Sequence, residues 1–137
     1  EILEMRLLIE PEVCALEAER ISDDQLQQLR HIYDEMHRTA GTPGIEAYDS
    51  QFHQLIAEAA QNTPIARTIS WLWALRVQSG LSRGFHRLII EEGVHPVLNE
   101  HEAIFKSLQN RDPEAAKKAM LKHIEASTAS AAQHFSN

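Results

Sequence analysis

The sequence predicts an all-α fold, an antiparallel bundle of six to seven helices. Three observations carry this reading. Apolar residues recur at spacings of three and four along nearly the whole chain. Alternating runs rich in Val, Ile and Thr, the mark of half-buried strands, are absent. Only five Gly and five Pro punctuate the 137 residues.

The elements follow in order. Ile2, Met5, Ile9, Val13 and Leu16 form the apolar stripe of a first helix running to about Arg20, with a kink or break expected near Glu10 because Pro11 lies inside the pattern. Ser22 and Gln25 have the spacing of a capping box that opens a second helix, with Leu26, Leu29, Tyr33 and Met36 as its stripe and an end near Gly41. Thr42-Pro43 reads as N-cap and first helical position of a third helix reaching about Asn62. Thr63-Pro64 restarts the chain into a long fourth helix over about 64–91, in which Gly80 and Gly84 weaken the second half. A fifth helix over about 96–110 carries Val97, His101, Ile104 and Leu108. Asp112-Pro113 starts a sixth with Ala116, Met120, His123 and Ser127 in line. No repeat or internal linker divides the chain, so residues 1–137 read as one domain.

Composition narrows the function. The chain is 43% hydrophobic and 24% charged, as expected of a globular domain. Its net charge of −7 argues against a nucleic-acid grip or an anionic membrane surface. No run reaches the length of a membrane span, and no signal peptide is visible. Cys14 is the only cysteine, which fits a reducing, cytoplasmic compartment. The chain begins at Glu1, already inside a helical pattern, so we expect a domain with sequence missing upstream.

The histidines carry the chemistry. His101 and His123 lie on the apolar stripes of helices five and six, each eleven residues from Asp112 (112 − 101 and 123 − 112). A short turn makes these helices antiparallel, which puts both residues at one level, each about 16 Å from the bend at 1.5 Å per residue. In "DSQFHQLIAEAAQN", Asp49 and His53 are an i, i+4 pair on one face of helix three. If helix three packs on the five–six hairpin, one carboxylate and three imidazoles converge in a central cavity. Taken singly, each has an ordinary reading: a core histidine bonded to a carbonyl, or an aspartate near a helix start. Taken together, the four have the spacing of a divalent-metal site. The N/O donor set suits Zn, Ni or Mn, and also Co or Fe(II), either closed and tetrahedral or octahedral with open positions.

The same stretches resemble a known family. "EMRLLIEPEVCALEAERIS", "DSQFHQLIAEAAQN" and "NEHEAIFKSLQNRDPEAAKKAMLKHI" are similar, in order and over essentially the whole chain, to the C-terminal effector-binding (FCD) domain of GntR-type, FadR-subfamily transcription regulators. The matching blocks include D-x-x-F-H, E-H-x-x-I, D-x-x-x-A and M-x-x-H. The resemblance implies an all-helical bundle in which Asp49, His53, His101 and His123 bind a divalent metal. It implies an adjacent pocket for a small carboxylate or sugar acid, held in part by Arg6, with Asn62 matching a further family position. Arg6 otherwise reads as a surface arginine beside the stripe, and Asn62 as a helix C-cap. Arg76, Arg83 and Arg87 are further candidates that spacing does not separate. His31, His37, His86, His95 and His134 match nothing in the pattern and read as surface or boundary residues. The resemblance also implies a homodimer that meets DNA only through an N-terminal winged helix-turn-helix lying outside this chain.

Three functions are thus expected to compete. The first is a sensor, in which metal and Arg6 anchor an acid whose binding shifts the bundle between two arrangements. The second is a metalloenzyme using the site of three histidines and one aspartate. Glu100 is its nearest candidate base, although the side chain next to His101 points away from it on a helix. The third is a purely structural metal that pins three helices together.

Overall fold

The computed structural model describes residues 1–78 and 96–135, with side chains described over 1–75 and 98–126. Among them are six helices: α1 (Ile2–Arg20), α2 (Asp23–Arg38), α3 (Ile45–Ala59), α4 (Thr63–Gln78), α5 (Pro96–Gln109) and α6 (Pro113–Phe135).

The local signals explain most boundaries. The Ser22 hydroxyl accepts from the Gln25 N–H at 3.1 Å while the Gln25 side chain accepts from the Ser22 N–H at 3.0 Å, so α2 opens on the expected reciprocal cap. The Asp112 carboxylate accepts from the Ala115 N–H at 3.1 Å and starts α6. Arg111 ends the preceding turn at φ 51°, left-handed backbone that stops α5.

Expectations at three helix positions are corrected. Pro11 neither breaks nor ends α1, which is continuous from Ile2 to Arg20. Thr42-Pro43 does not start α3, which begins at Ile45 behind Gly44. The Thr42 hydroxyl instead donates back to the Thr39 carbonyl at 2.7 Å, closing a turn rather than capping a helix. The third helix also stops at Ala59, short of Asn62, because Gln61 takes φ 53°.

The layers form around α1. It packs along α6 and also meets α3, α4 and α5, while α5 and α6 form the antiparallel hairpin and α2 lies on α3 and α5. Cys14, Ala18, Ile21, Leu29, Met36, Phe52, Ile56, Ile104, Leu108, Met120 and Ile124 fill the main core. A second cluster of Val13, Ala57, Ala60, Ile69 and Trp73 joins α1, α3 and α4. The corners are tied by long-range bonds. Arg111 donates to the Ile21 carbonyl and to the Asp23 carboxylate, and Arg20 donates to the Ala60 carbonyl at 2.8 Å.

The inner face of α1 differs from the expected stripe. Val13 is buried, but Met5 is 39% and Leu8 68% exposed. The buried residues are Arg6, Glu10, Pro11, Val13, Cys14, Glu17 and Ala18. Three charged residues thus occupy the interior of a helix whose apolar pattern pointed elsewhere. The second half of the expected fourth helix, with Gly80, Gly84, Arg83 and Arg87, lies outside the described residues, as does the Arg76 side chain.

Candidate functional site

Asp49 and His53 stand one turn apart on α3, and both are buried, with His53 2% exposed. Their neighbours Phe52, Ile56 and Ala59 drive that face inward and carry the two polar groups with them. The α5–α6 hairpin brings His101 and His123 to the same depth, with ring centroids 4.7 Å apart. His53 lies 5.3 Å from each of them by the same measure. One ligating atom from each of the three histidines falls within 4.8 Å of the others. Asp49 Oδ1 lies 2.8 Å from His101 Nε2 and 3.5 Å from His53 Nε2. The four residues singled out from spacing therefore converge.

Aromatic walls fix the imidazoles. The Phe52 ring meets His101 edge-on at 4.7 Å, and Trp73 stacks on His53 at 4.2 Å. Glu100 completes the cluster, for its Oε2 lies 2.9 Å from His123 Nδ1. The expectation that Glu100 turns away from His101 is sound helix geometry, yet the glutamate reaches the neighbouring helix. Only the hairpin register could reveal this.

The electrostatics favour neutral imidazole beside a charged carboxylate. Burial opposes ionisation of Asp49, but the facing His101 and His53 outweigh it and hold the carboxyl well below the usual range. Burial drives His53 down to about 3, against the pull of Asp49 and with help from His123 and His101. His53 is therefore a free base at neutral pH, the form that binds a metal. At 3.5 Å the Asp49 approach is an electrostatic contact, and His53 Nε2 has no hydrogen-bond partner.

Stability without metal should depend on pH for this reason. Unfolded His53 takes up a proton near pH 6.5, and folded His53 only near 3. The unfolded state binds more protons in that window, so stability falls as pH falls from 6.5. Burial raises Glu17 and Glu100, which titrate with the opposite sign. In a Glu17→Gln, Glu100→Gln double variant treated with chelator, urea unfolding should therefore show a loss of about 2 kcal/mol between pH 6.5 and 5. A flat profile would remove the neutral buried imidazole from the account.

Arg6 sits beside this cluster, not on the surface, at 1% exposure. Its Nε donates to Glu10 Oε2 at 2.7 Å, and its guanidinium lies 5.1 Å from the Trp73 ring centroid. Trp73 in turn donates to Glu10 Oε1 at 3.2 Å. Arg6 Nη1 and Nη2 have no hydrogen-bond partner. Asn62 is placed differently. It is exposed, and its Oδ1 accepts from the Ile65 N–H at 3.1 Å, so it caps the start of α4 and not the end of α3. The sequence reasoning missed Glu10, Glu17 and Trp73. Glu10 and Glu17 were legible only as charges four and eleven residues from Arg6, a spacing that keeps them on its helix face.

The cluster fits a divalent ion. An orphaned buried imidazole nitrogen, two more imidazoles within reach and a carboxylate form a borderline N/O donor set. An ion with bonds of about 2.1 Å spaces its ligand atoms about 3–4 Å apart, close to the separations found here. The Glu100–His123 pair has the form of the carboxylate–histidine contact that orients metal ligands.

Comparison with known proteins agrees with this architecture. Residues 1–126 match the FCD domain family. The Exu regulon transcriptional regulator of Escherichia coli K12 is 30% identical over 125 residues, covering 91% of this chain and 48% of that protein. The galactonate operon transcriptional repressor of the same organism is 28% identical over 130 residues, covering 91% and 54%. The solved structure of Streptococcus agalactiae GntR superposes with a TM-score of 0.68 at 29% identity, covering 91% of this chain and 55% of that one. The chain spans about half the length of the curated relatives it matches. No helix among the described residues is long and apolar enough to cross a membrane.

Proposed function

The chain belongs to the FCD domain family, and from that premise we propose that it senses a small organic acid, of the sugar-acid class, for a transcription regulator. One observation carries the reading. The four buried side-chain polar atoms without a partner, among the described residues, belong to Arg6, Glu17 and His53 alone. Arg6 and His53 both pack against one ring, Trp73, and His53 and Glu17 line one cavity. Leaving such atoms unpaired costs about 1–3 kcal/mol each, and more for a charge. A purely structural site would have no use for the two free guanidinium nitrogens, whereas a carboxylate effector satisfies both in a bidentate pair.

Asp49, His53, His101 and His123 would hold a divalent ion of the Zn, Ni or Mn kind. When bound, the ion supplies a fixed positive charge and an open coordination position for an acid oxygen. The chain's own residues do the rest. Glu10 and Trp73 hold the Arg6 side chain in place, Glu100 holds His123, and Phe52 packs edge-on against His101. The acid then bridges α1 to the α3–α5–α6 cluster. Differential affinity for two helix arrangements would transmit the event to a DNA-binding domain outside this chain, in a homodimer. The named relatives are regulators, and the cluster is given no catalytic role.

Calorimetry of galactonate and glucuronate against metal-loaded and chelator-treated chain tests the proposal. Binding that needs both the metal and an acid is the expected result. Metal that raises the melting temperature, with no response to either acid, would leave only a structural ion.

A further inference from the structure

Glu17 is a buried carboxyl that the site as described leaves unused. It is 2% exposed, on the same inner face of α1 as Arg6 and Glu10. The Cys14 thiol, on the preceding turn, is a hydrogen-bond partner of the carboxyl, but Oε2 has none. A small cavity opens beside it, lined by Glu10, Val13, Glu17, His53, Ile56, Ile69 and Met120. The cavity is therefore apolar except at the two glutamates and at His53. The orphaned His53 Nε2 and the orphaned Glu17 Oε2 belong to residues that share it.

A carboxyl oxygen in such a place loses its water and gains no protein donor in return, which is unfavourable unless a ligand supplies the donor. An apolar side chain there would serve packing better. The donor is not a cation from this protein, for no lysine or arginine lines the cavity. An anionic group is drawn instead to Arg6, whose two guanidinium nitrogens lack partners. What fits is a neutral O–H.

Arg6 and Glu17 are eleven residues apart, about 16 Å along α1. Glu10, the ion-pair partner of Arg6, lines the same cavity as Glu17, so the two ends adjoin through it. The two orphaned groups differ in kind. Arg6 offers donors and asks for an anion, and Glu17 offers an acceptor and asks for a hydroxyl.

We propose that Glu17 is the specificity-determining residue of the effector pocket, accepting a hydrogen bond from a hydroxyl of a polyhydroxy monocarboxylic acid whose acid end lies toward Arg6. This rests on the acid-sensing reading above. It deepens that reading by separating hydroxylated acids from plain alkyl acids, which carry no donor for Oε2.

The test uses the metal-loaded chain with galactonate, glucuronate and hexanoate as probes, the last being a six-carbon acid without hydroxyls. Wild type should prefer the hydroxylated acids. Glu17→Leu should weaken the better of them at least about tenfold, as expected when one buried hydrogen bond to a charged or polar partner is lost, and should leave hexanoate affinity unchanged. Glu17→Gln keeps an acceptor oxygen and should retain most of the preference. Both variants should bind metal as wild type does, and Glu17→Leu should melt no lower, because it removes an unsatisfied buried carboxyl. A Glu17→Leu chain that binds all three acids as wild type does, or loses all three equally, overturns this inference alone. A wild-type chain that takes none of the acids overturns the acid-sensing reading and this inference with it.

Discussion

Replacing Arg6 with methionine is expected to weaken acid binding to the metal-loaded chain about 100-fold, the loss of two charge-assisted hydrogen bonds at about 1.4 kcal/mol per factor of ten. Arg6 is 1% exposed and has two nitrogens without partners, so an anion placed there meets little competition from water. The substitution also strands Glu10, whose Oε2 accepts from Arg6 Nε at 2.7 Å. Breaking a buried pair on one side is destabilising by about 3–5 kcal/mol, and the variant should melt lower for that reason. Arg6→Lys separates the two effects. It keeps a positive charge for Glu10 but loses the planar fork, so it should fold nearly as well and lose about tenfold in acid affinity. Calorimetry with both variants decides. Wild-type affinity for the acids in Arg6→Met would remove the anion role from this residue.

Substituting His101 with alanine should reduce metal affinity by more than about 100-fold, beyond the 10–100-fold range typical of residues that only support a ligand. His101 is fully buried, and its Nε2 is 2.8 Å from Asp49 Oδ1. Its loss removes one donor and releases the aspartate from its partner. Glu100→Ala should fall within the lower range, because Glu100 touches His123 Nδ1 and acts through it. Glu100→Gln, which can still hydrogen-bond, should be milder again. Competition with a chelator of known affinity measures all three variants on one scale. If His101→Ala holds metal as well as wild type, the cluster is a hydrogen-bonded core and not a metal site. If Glu100→Ala equals His101→Ala, then Glu100 is itself a ligand.

Some of this was legible in the residues alone. Regular spacing of three and four specified the six helices, because helix periodicity is a local property that a hydrophobic core amplifies. The Ser22–Gln25 cap and the Asp112 start are likewise local, each a side chain bonded to backbone three residues away. The convergence of His101 and His123 followed from one turn, since antiparallel helices of fixed rise place equidistant residues side by side. Asp49 and His53 joined them because their helix carries apolar neighbours on the same face.

The inner face of α1 was another matter. Its apolar stripe pointed to Met5, which is 39% exposed, while Arg6, Glu10 and Glu17 are buried. Hydropathy assigns charge to solvent, and it fails where charged groups are stabilised by partners from distant segments. Glu10 is held by Trp73, sixty-three residues away, and Arg6 lies over the same ring. Glu100 reaches His123 across a hairpin, and Asn62 turns outward because the next helix needs a cap. Periodicity and capping chemistry in the sequence determined where the helices are and which histidines meet. Only the packed tertiary structure decided which charges enter the interior, because a buried ion's energy depends on partners brought together by the fold, not on its neighbours in the chain.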